Sequence, residues 1–132
     1  MFNPDTAPFA DYYLQRLQAV APVLGVTPFT ATVRSEAEIE EVISGLAREV
    51  GGGLMVMTDS FMTVHRKSIV GLTAHNKVPA VSFIAPMTAE GGLISYGVNI
   101  VDLFQRAASY IDRILRGSKP GRVGSRRGPG FE

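Results

Sequence analysis

The chain has 132 residues, is 45% hydrophobic and 19% charged, and carries a formal net charge of +1 with no cysteine. That is room for one ordinary globular domain. It excludes disulfides, thiolate zinc sites and thiol catalysis, and no apolar run approaches the ~20 residues of a membrane helix. The charge is uneven: residues 1–117 hold nine Lys/Arg against eleven Asp/Glu, net −2, whereas residues 118–132 hold four Lys/Arg against Glu132, net +3. A nucleic-acid reading of the chain would rest on that last stretch alone, and none is made.

Met1-Phe2 reads as the end of a strand, and Asn3-Pro4-Asp5 as the loop after it. Residues 8–21 follow as a helix opened by Pro8, which suits a first turn; Phe9, Tyr13, Leu17 and Val20 share one face. Residues 26–33, VTPFTATV, read as a strand, with Pro28 pointing to an edge. Ser35-Glu36-Ala37-Glu38 is a capping box. Ile39, Val42, Ile43, Leu46, Ala47 and Val50 then recur at helical spacing. Gly51-Gly52-Gly53 ends that helix. These glycines precede a strand rather than open a helix, so a phosphate loop is excluded on position.

Leu54-Met-Val-Met57 is an apolar run of the kind found in strands buried on both faces. It ends in Thr58-Asp59-Ser60. Residues 61–76 read as one helix, and 78–84, VPAVSFI, as another buried strand. Residues 91–97, GGLISYG, read as a short strand. Asn99 caps a helix whose stripe holds Ile100, Leu103, Phe104, Ala107, Ile111, Ile114 and Leu115, and Gly117 stops it. The Gly/Pro/Arg-rich residues 118–132 have almost nothing to bury and are expected to be an unstructured basic tail. Strands alternating with 12–16-residue helices imply right-handed βαβ crossovers. The expected fold is a Rossmann-like α/β/α sandwich, a parallel sheet flanked by helices.

In open α/β sheets ligands bind at the carboxyl ends of the strands. Asn3, Asp5 and Thr6 stand at one such end, Asp59 and Ser60 at another, Tyr96 and Gly97 at a third. Carboxylates, hydroxyls and an aromatic suit a small solute with an amine and a ring; Asp59 would take the ammonium and Tyr96 would stack or donate. The plainer reading is that Asp59 or Ser60 caps the next helix. A phospho-accepting receiver domain also carries an aspartate after a third strand. It needs an acidic pair and a lysine that this sequence lacks, so no Mg²⁺ would be held well. His65 and His75 lack metal-ligand spacing, and no serine sits in a nucleophile motif. No metal, cofactor or catalytic residue is expected.

Three stretches carry a resemblance: MFNPDTAPFADYYLQRLQAVAPVLGV, GGGLMVMTDSFMTVHRKSIVGLTAHNKVPAV and GGLISYGVNIVDLFQRAASYIDRILRGSKPG. Over about residues 1–121 the chain resembles the ABC-transporter substrate-binding proteins of the tryptophan/tyrosine type, which have the type I periplasmic-binding-protein fold. The resemblance implies a non-enzymatic, periplasmic solute carrier that closes two lobes on an amino acid or aromatic compound and delivers it to a permease. It places Asn3, Asp5, Thr6, Asp59 and Ser60 at the cleft, and Tyr96 and Gly97 at the crossover.

Against the family pattern, residues 1–86 correspond to the second lobe with its first strand shortened. Residues 87–117 are a crossover strand and a helix that belong with the first lobe, and 118–132 are the tail. The sequence therefore reads as a partial chain. The first ten residues, MFNPDTAPFA, lack the basic start and apolar stretch of a signal peptide, so the chain expressed as given is expected in the cytoplasm. The helix over 99–116 is expected to seek another partner, a second copy among them.

Overall fold

The computed structural model describes residues 1–97 and 99–123. The chain divides into two compact units after Gly97. The first contains α1 (Ala10–Val20), α2 (Glu36–Leu46), β1 (Leu54–Val56), α3 (Ser60–Val64), α4 (Arg66–His75), β2 (Ala80–Ser82), α5 (Pro86–Ala89) and β3 (Ile94–Ser95); the second contains α6 (Ile100–Leu115) and α7 (Pro120–Val123). Pairing with β2 keeps β3 within the first unit.

The sheet is parallel, in the order β1-β2-β3, with Met55, Val81 and Ile94 in one cross-strand row. Two extended pieces continue it beyond β1. The Met57 amide donates to the Met1 carbonyl at 3.1 Å, the Phe2 amide to Ala31 at 3.1 Å, and the Val33 amide to Phe2 at 3.0 Å. Residues 1–3 thus lie between β1 and residues 31–33. Backbone order across the sheet is 31–33, 1–3, β1, β2, β3. The chain reverses its direction of winding between residues 1–3 and β1, which is where α/β sheets open a crevice at their carboxyl edge.

Period-two alternation sorts the side chains. Met1, Val33, Leu54 and Val56 meet Ile39 and Ile43 of α2, Met62 of α3, Ile69 and Val70 of α4 and Met87 of α5 in the main core. Phe2 and Met57 face the other way, onto Ala7, Ala10 and Leu14 at α1. Beyond α1 this second face is open, with Met55, Phe83 and Ile94 at solvent.

Several elements are shorter than their sequence pattern. The stretch 26–33 makes only a bridge, at Thr32, as expected of an edge. The helix expected over 61–76 is two helices. It breaks at His65 (φ −88°, ψ 9°), whose ring lies 4.2 Å from that of Phe61 and whose Nδ1 bonds the Phe61 carbonyl at 2.9 Å. This histidine is therefore tied into the turn, not a free surface group. Helix α5 had no sequence signal beyond Pro86. The tail expected to be unstructured begins with α7; residues 124–132 lie outside the described residues. No described helix is long and apolar enough to cross a membrane.

Candidate functional site

Asp59 ends the run that follows β1, and its backbone is extended (φ −144°, ψ 168°). That conformation aims the side chain back along the first turn of α3. Oδ1 accepts the Met62 amide at 2.7 Å, the N-cap bond of the helix. Oδ1 also accepts the Thr6 hydroxyl at 3.1 Å. Oδ2 accepts the Asn3 amide at 3.1 Å. Both Asn3 and Asp59 are 5% exposed. A carboxylate so placed is stable because charge-assisted donors replace the water it has lost. The expectation of a free carboxylate waiting for an ammonium does not describe this geometry: Asp59 is capped, cross-linked and nearly out of reach.

The same bonds shape the loop after residues 1–3. Asn3 accepts the Thr6 and Ala7 amides at its carbonyl, at 3.2 and 2.9 Å, and its Oδ1 accepts the Asp5 amide at 2.8 Å. Asp5 is turned outward, where Arg34 Nε donates to its Oδ2 at 3.1 Å. Arg34 went unnoticed in the sequence. Its signal is positional, since it follows the edge strand and immediately precedes the Ser35 cap. The capping box is also offset by one residue: Glu38 accepts the Arg34 amide at 2.7 Å, while Ser35 Oγ accepts the Glu38 amide at 3.3 Å. Thr58 and Ser60, on either side of Asp59, are exposed.

Of the sequence-derived residues, then, Asn3, Thr6 and Asp59 are bonded together, Asp5 is attached through Asn3, and Ser60 is the exposed neighbour. Tyr96 and Gly97 stand two strands away at the end of β3. The Tyr96 amide donates to the Ser82 carbonyl at 2.8 Å and the side chain is 76% exposed. A Cβ at Gly97 would collide with the Phe83 carbonyl, so only glycine allows the chain to leave the sheet there. Ser82 is sealed in the core, accepting the Ile84 amide and donating to Met87 Sδ, each at 2.9 Å.

One amine completes the electrostatics. The Met1 ammonium donates to the Met55 carbonyl at 2.6 Å. Burial pulls its pKa from 8.0 down to about 6, and the negative charge of Asp59 opposes that fall. Among the described residues, no three His, Cys, Asp or Glu side chains converge on a position for a metal ion.

The family model described as ABC transporter substrate binding protein matches residues 5–130. No curated protein matches. Among solved structures, a conserved domain protein from Vibrio cholerae O1 biovar El Tor strain N16961 superposes with a TM-score of 0.68 at 20% identity. The match covers 91% of this chain and 40% of that one. At that identity the likeness is one of fold, and the chain spans less than half the length of the protein it resembles.

Proposed function

Because the chain belongs to the ABC transporter substrate binding protein family, we propose that its carboxyl sheet edge is one wall of a solute cleft and performs no covalent chemistry. The observation that carries this reading is the meeting of Asn3, Thr6 and Asp59 at the point where the sheet reverses its winding. Asp5, Thr6 and Ser60 line the wall, Asn3 and Asp59 lie beneath it, and Tyr96 and Gly97 mark the way out toward a second lobe. The solute is an amino acid or small aromatic compound. The carrier works outside the cytoplasmic membrane and passes its load to a permease.

Such carriers trap a ligand by closing two lobes, each giving part of the contacts. One wall alone keeps some hydrogen bonds and none of the enclosure. Titration of the chain with aromatic and branched-chain amino acids, followed through backbone amide shifts, is expected to give millimolar affinity or weaker, with shifts at Thr6, Ser60 and Tyr96. A micromolar constant would overturn the two-wall reading; shifts confined to other faces would overturn the site.

A receiver-like phosphoryl acceptor is the competing reading, and the geometry argues against it. An acceptor aspartate must present an oxygen to the phosphoryl donor, whereas both oxygens of Asp59 are engaged. Acetyl phosphate with Mg²⁺ is expected to add no mass.

Helix α6 supports a further part of the proposal, that the chain pairs with a second copy. Leu103, Phe104, Tyr110, Ile111, Ile114 and Leu115 lie on one side of the helix and are all exposed. At ~100 Å² for each buried side chain, two such faces would hide ~1,200 Å², the lower end of the ~1,200–2,000 Å² of a stable interface.

A further inference from the structure

We propose that Asp59 is a positioning residue, an internal latch that holds the loop over residues 3–7 against the start of α3, and that the solute meets the hydroxyls beside it instead. This rests on the cleft reading above and assigns roles within that cleft.

The two oxygens of Asp59 have different tasks. Oδ1 takes the Met62 amide, three residues on, and so caps α3. Oδ2 takes the Asn3 amide, a residue 56 positions away in the chain. The Thr6 hydroxyl adds a second long-range bond, to Oδ1. A cap alone needs one acceptor, and asparagine or serine serve as well as aspartate. The second oxygen is what ties two strand ends together across the reversal of the sheet. Loops are the mobile part of an α/β fold. A loop that carries half of a crevice must be held if the crevice is to be formed before the solute arrives, since ordering it on binding would subtract from affinity.

The latch also settles what faces outward. Three donors occupy three of the roughly four acceptor directions of its carboxylate, and at 5% exposure Asp59 offers a solute ammonium little access. Thr58 and Ser60 flank it at the surface, and Asp5 projects from the far side of the same network with Arg34 on it. The wall therefore offers hydroxyls, which donate and accept, together with an exposed ion pair. It suits a solute that presents a polar, hydrogen-bonding group here, whether or not it carries an amine.

Asp59→Asn separates the two tasks, because it keeps an acceptor for the helix cap and turns the other oxygen into a donor facing the Asn3 amide. Amide hydrogen exchange of the full chain is the readout. The expected result is exchange at Asn3 at least tenfold faster, with Met62 within about threefold of the parent and the amides of β2 unchanged. Unchanged protection at Asn3 would overturn the latch. So would a uniform rise including β2, since that is general destabilisation.

Thr6→Val tests the same network while leaving the carboxylate in place. It is expected to speed exchange at Thr6 and Ala7 only, and no change there overturns the proposal even if the Asp59→Asn chain fails to fold. In the same spectra, L-phenylalanine and its des-amino analogue 3-phenylpropionate probe contact. Equal shifts at Ser60 support the latch, and a response at Asp59 to the amine alone contradicts it. Silence from both probes counts against the cleft reading and leaves the exchange result to decide the latch.

Discussion

Helices α2 and α6 make the sharpest contrast in the molecule. Both open on a side-chain cap, Ser35 in one and Asn99 in the other. Both carry apolar residues three and four apart. In α2 the stripe is used: Ile39 and Ile43 are fully buried against β1 and α4. In α6 no described residue is buried, and Phe104 is 70% exposed. An amphipathic pattern specifies that a helix will form and which side will be apolar; it does not supply the surface that covers that side. The first unit contains its own sheet, while among the described residues the second shows only the helices α6 and α7.

The largest test of this contrast is truncation of one buried and one exposed side chain. Ile39→Ala is expected to cost 2–5 kcal/mol, roughly 3, by removing buried methyls and leaving a cavity. Phe104→Ala removes a larger side chain and is expected to shift the unfolding of the first unit by less than about 0.5 kcal/mol. Urea titration followed by far-ultraviolet circular dichroism measures both. Equal losses would mean that α6 belongs to the same cooperative core.

A second test asks whether another copy covers α6. Sedimentation of the chain is expected to show concentration-dependent association. Ile111→Asp should weaken it by about 10- to 100-fold, the equivalent of losing ~1.5–3 kcal/mol of apolar burial. A monomer at every concentration, or association indifferent to the aspartate, would remove the second-copy reading.

The third test uses pH and concerns the first unit alone. The buried Met1 amine titrates near 6 when folded and near 8 when unfolded. Between those values the unfolded chain binds more protons, so stability rises with pH. Below about pH 6 both states are charged and the folded state bears the whole desolvation penalty; above about pH 8 neither is charged and the penalty is gone. With a free amino group at Met1, denaturant midpoints should rise from pH 6 to 8 by the equivalent of roughly 2 kcal/mol. Acetylation of that group should abolish the slope, while the helicity of α6 should not follow it.

These contrasts also show what was legible in the sequence. The unbroken apolar run Leu54–Met57, the helical spacing of Ile39 and Ile43 and the Gly51–Gly53 stop led to a parallel α/β sheet, and that is the fold observed. Boundaries were less legible. Nothing local announces the break at His65, which depends on a bond to Phe61 and on the packing of two helix segments. The site was half legible. A strand-end rule located Asp59 and Asn3 correctly at the carboxyl edge, but which oxygen faces which amide depends on a contact spanning 56 positions, and no periodicity encodes that. Arg34 was missed for the same reason, since its partner Asp5 is 29 positions away.

The finest test compares the two caps. Ser35 Oγ accepts the Glu38 amide at 3.3 Å, and Asn99 Oδ1 accepts the Asp102 amide at 3.1 Å. Alanine at either position removes one acceptor from a helix N-terminus, typically worth about 1 kcal/mol. The bonds are alike, so any difference in outcome comes from what each helix is attached to. Helix α2 is locked into the core through Ile39 and Ile43, so its first turn cannot fray without disturbing the sheet. Ser35→Ala should therefore appear as a loss of about 1 kcal/mol in the global unfolding of the first unit. Helix α6 gains little from burial and depends more on its cap and on the Asp102–Arg106 and Asp112–Arg116 pairs, each worth only a few tenths of a kcal/mol. Asn99→Ala should leave the global transition unmoved and instead speed amide exchange over the first two turns of α6. If Asn99→Ala lowered the global midpoint as much as Ser35→Ala, α6 would be part of the folded core after all, and the contrast between the two helices would fail.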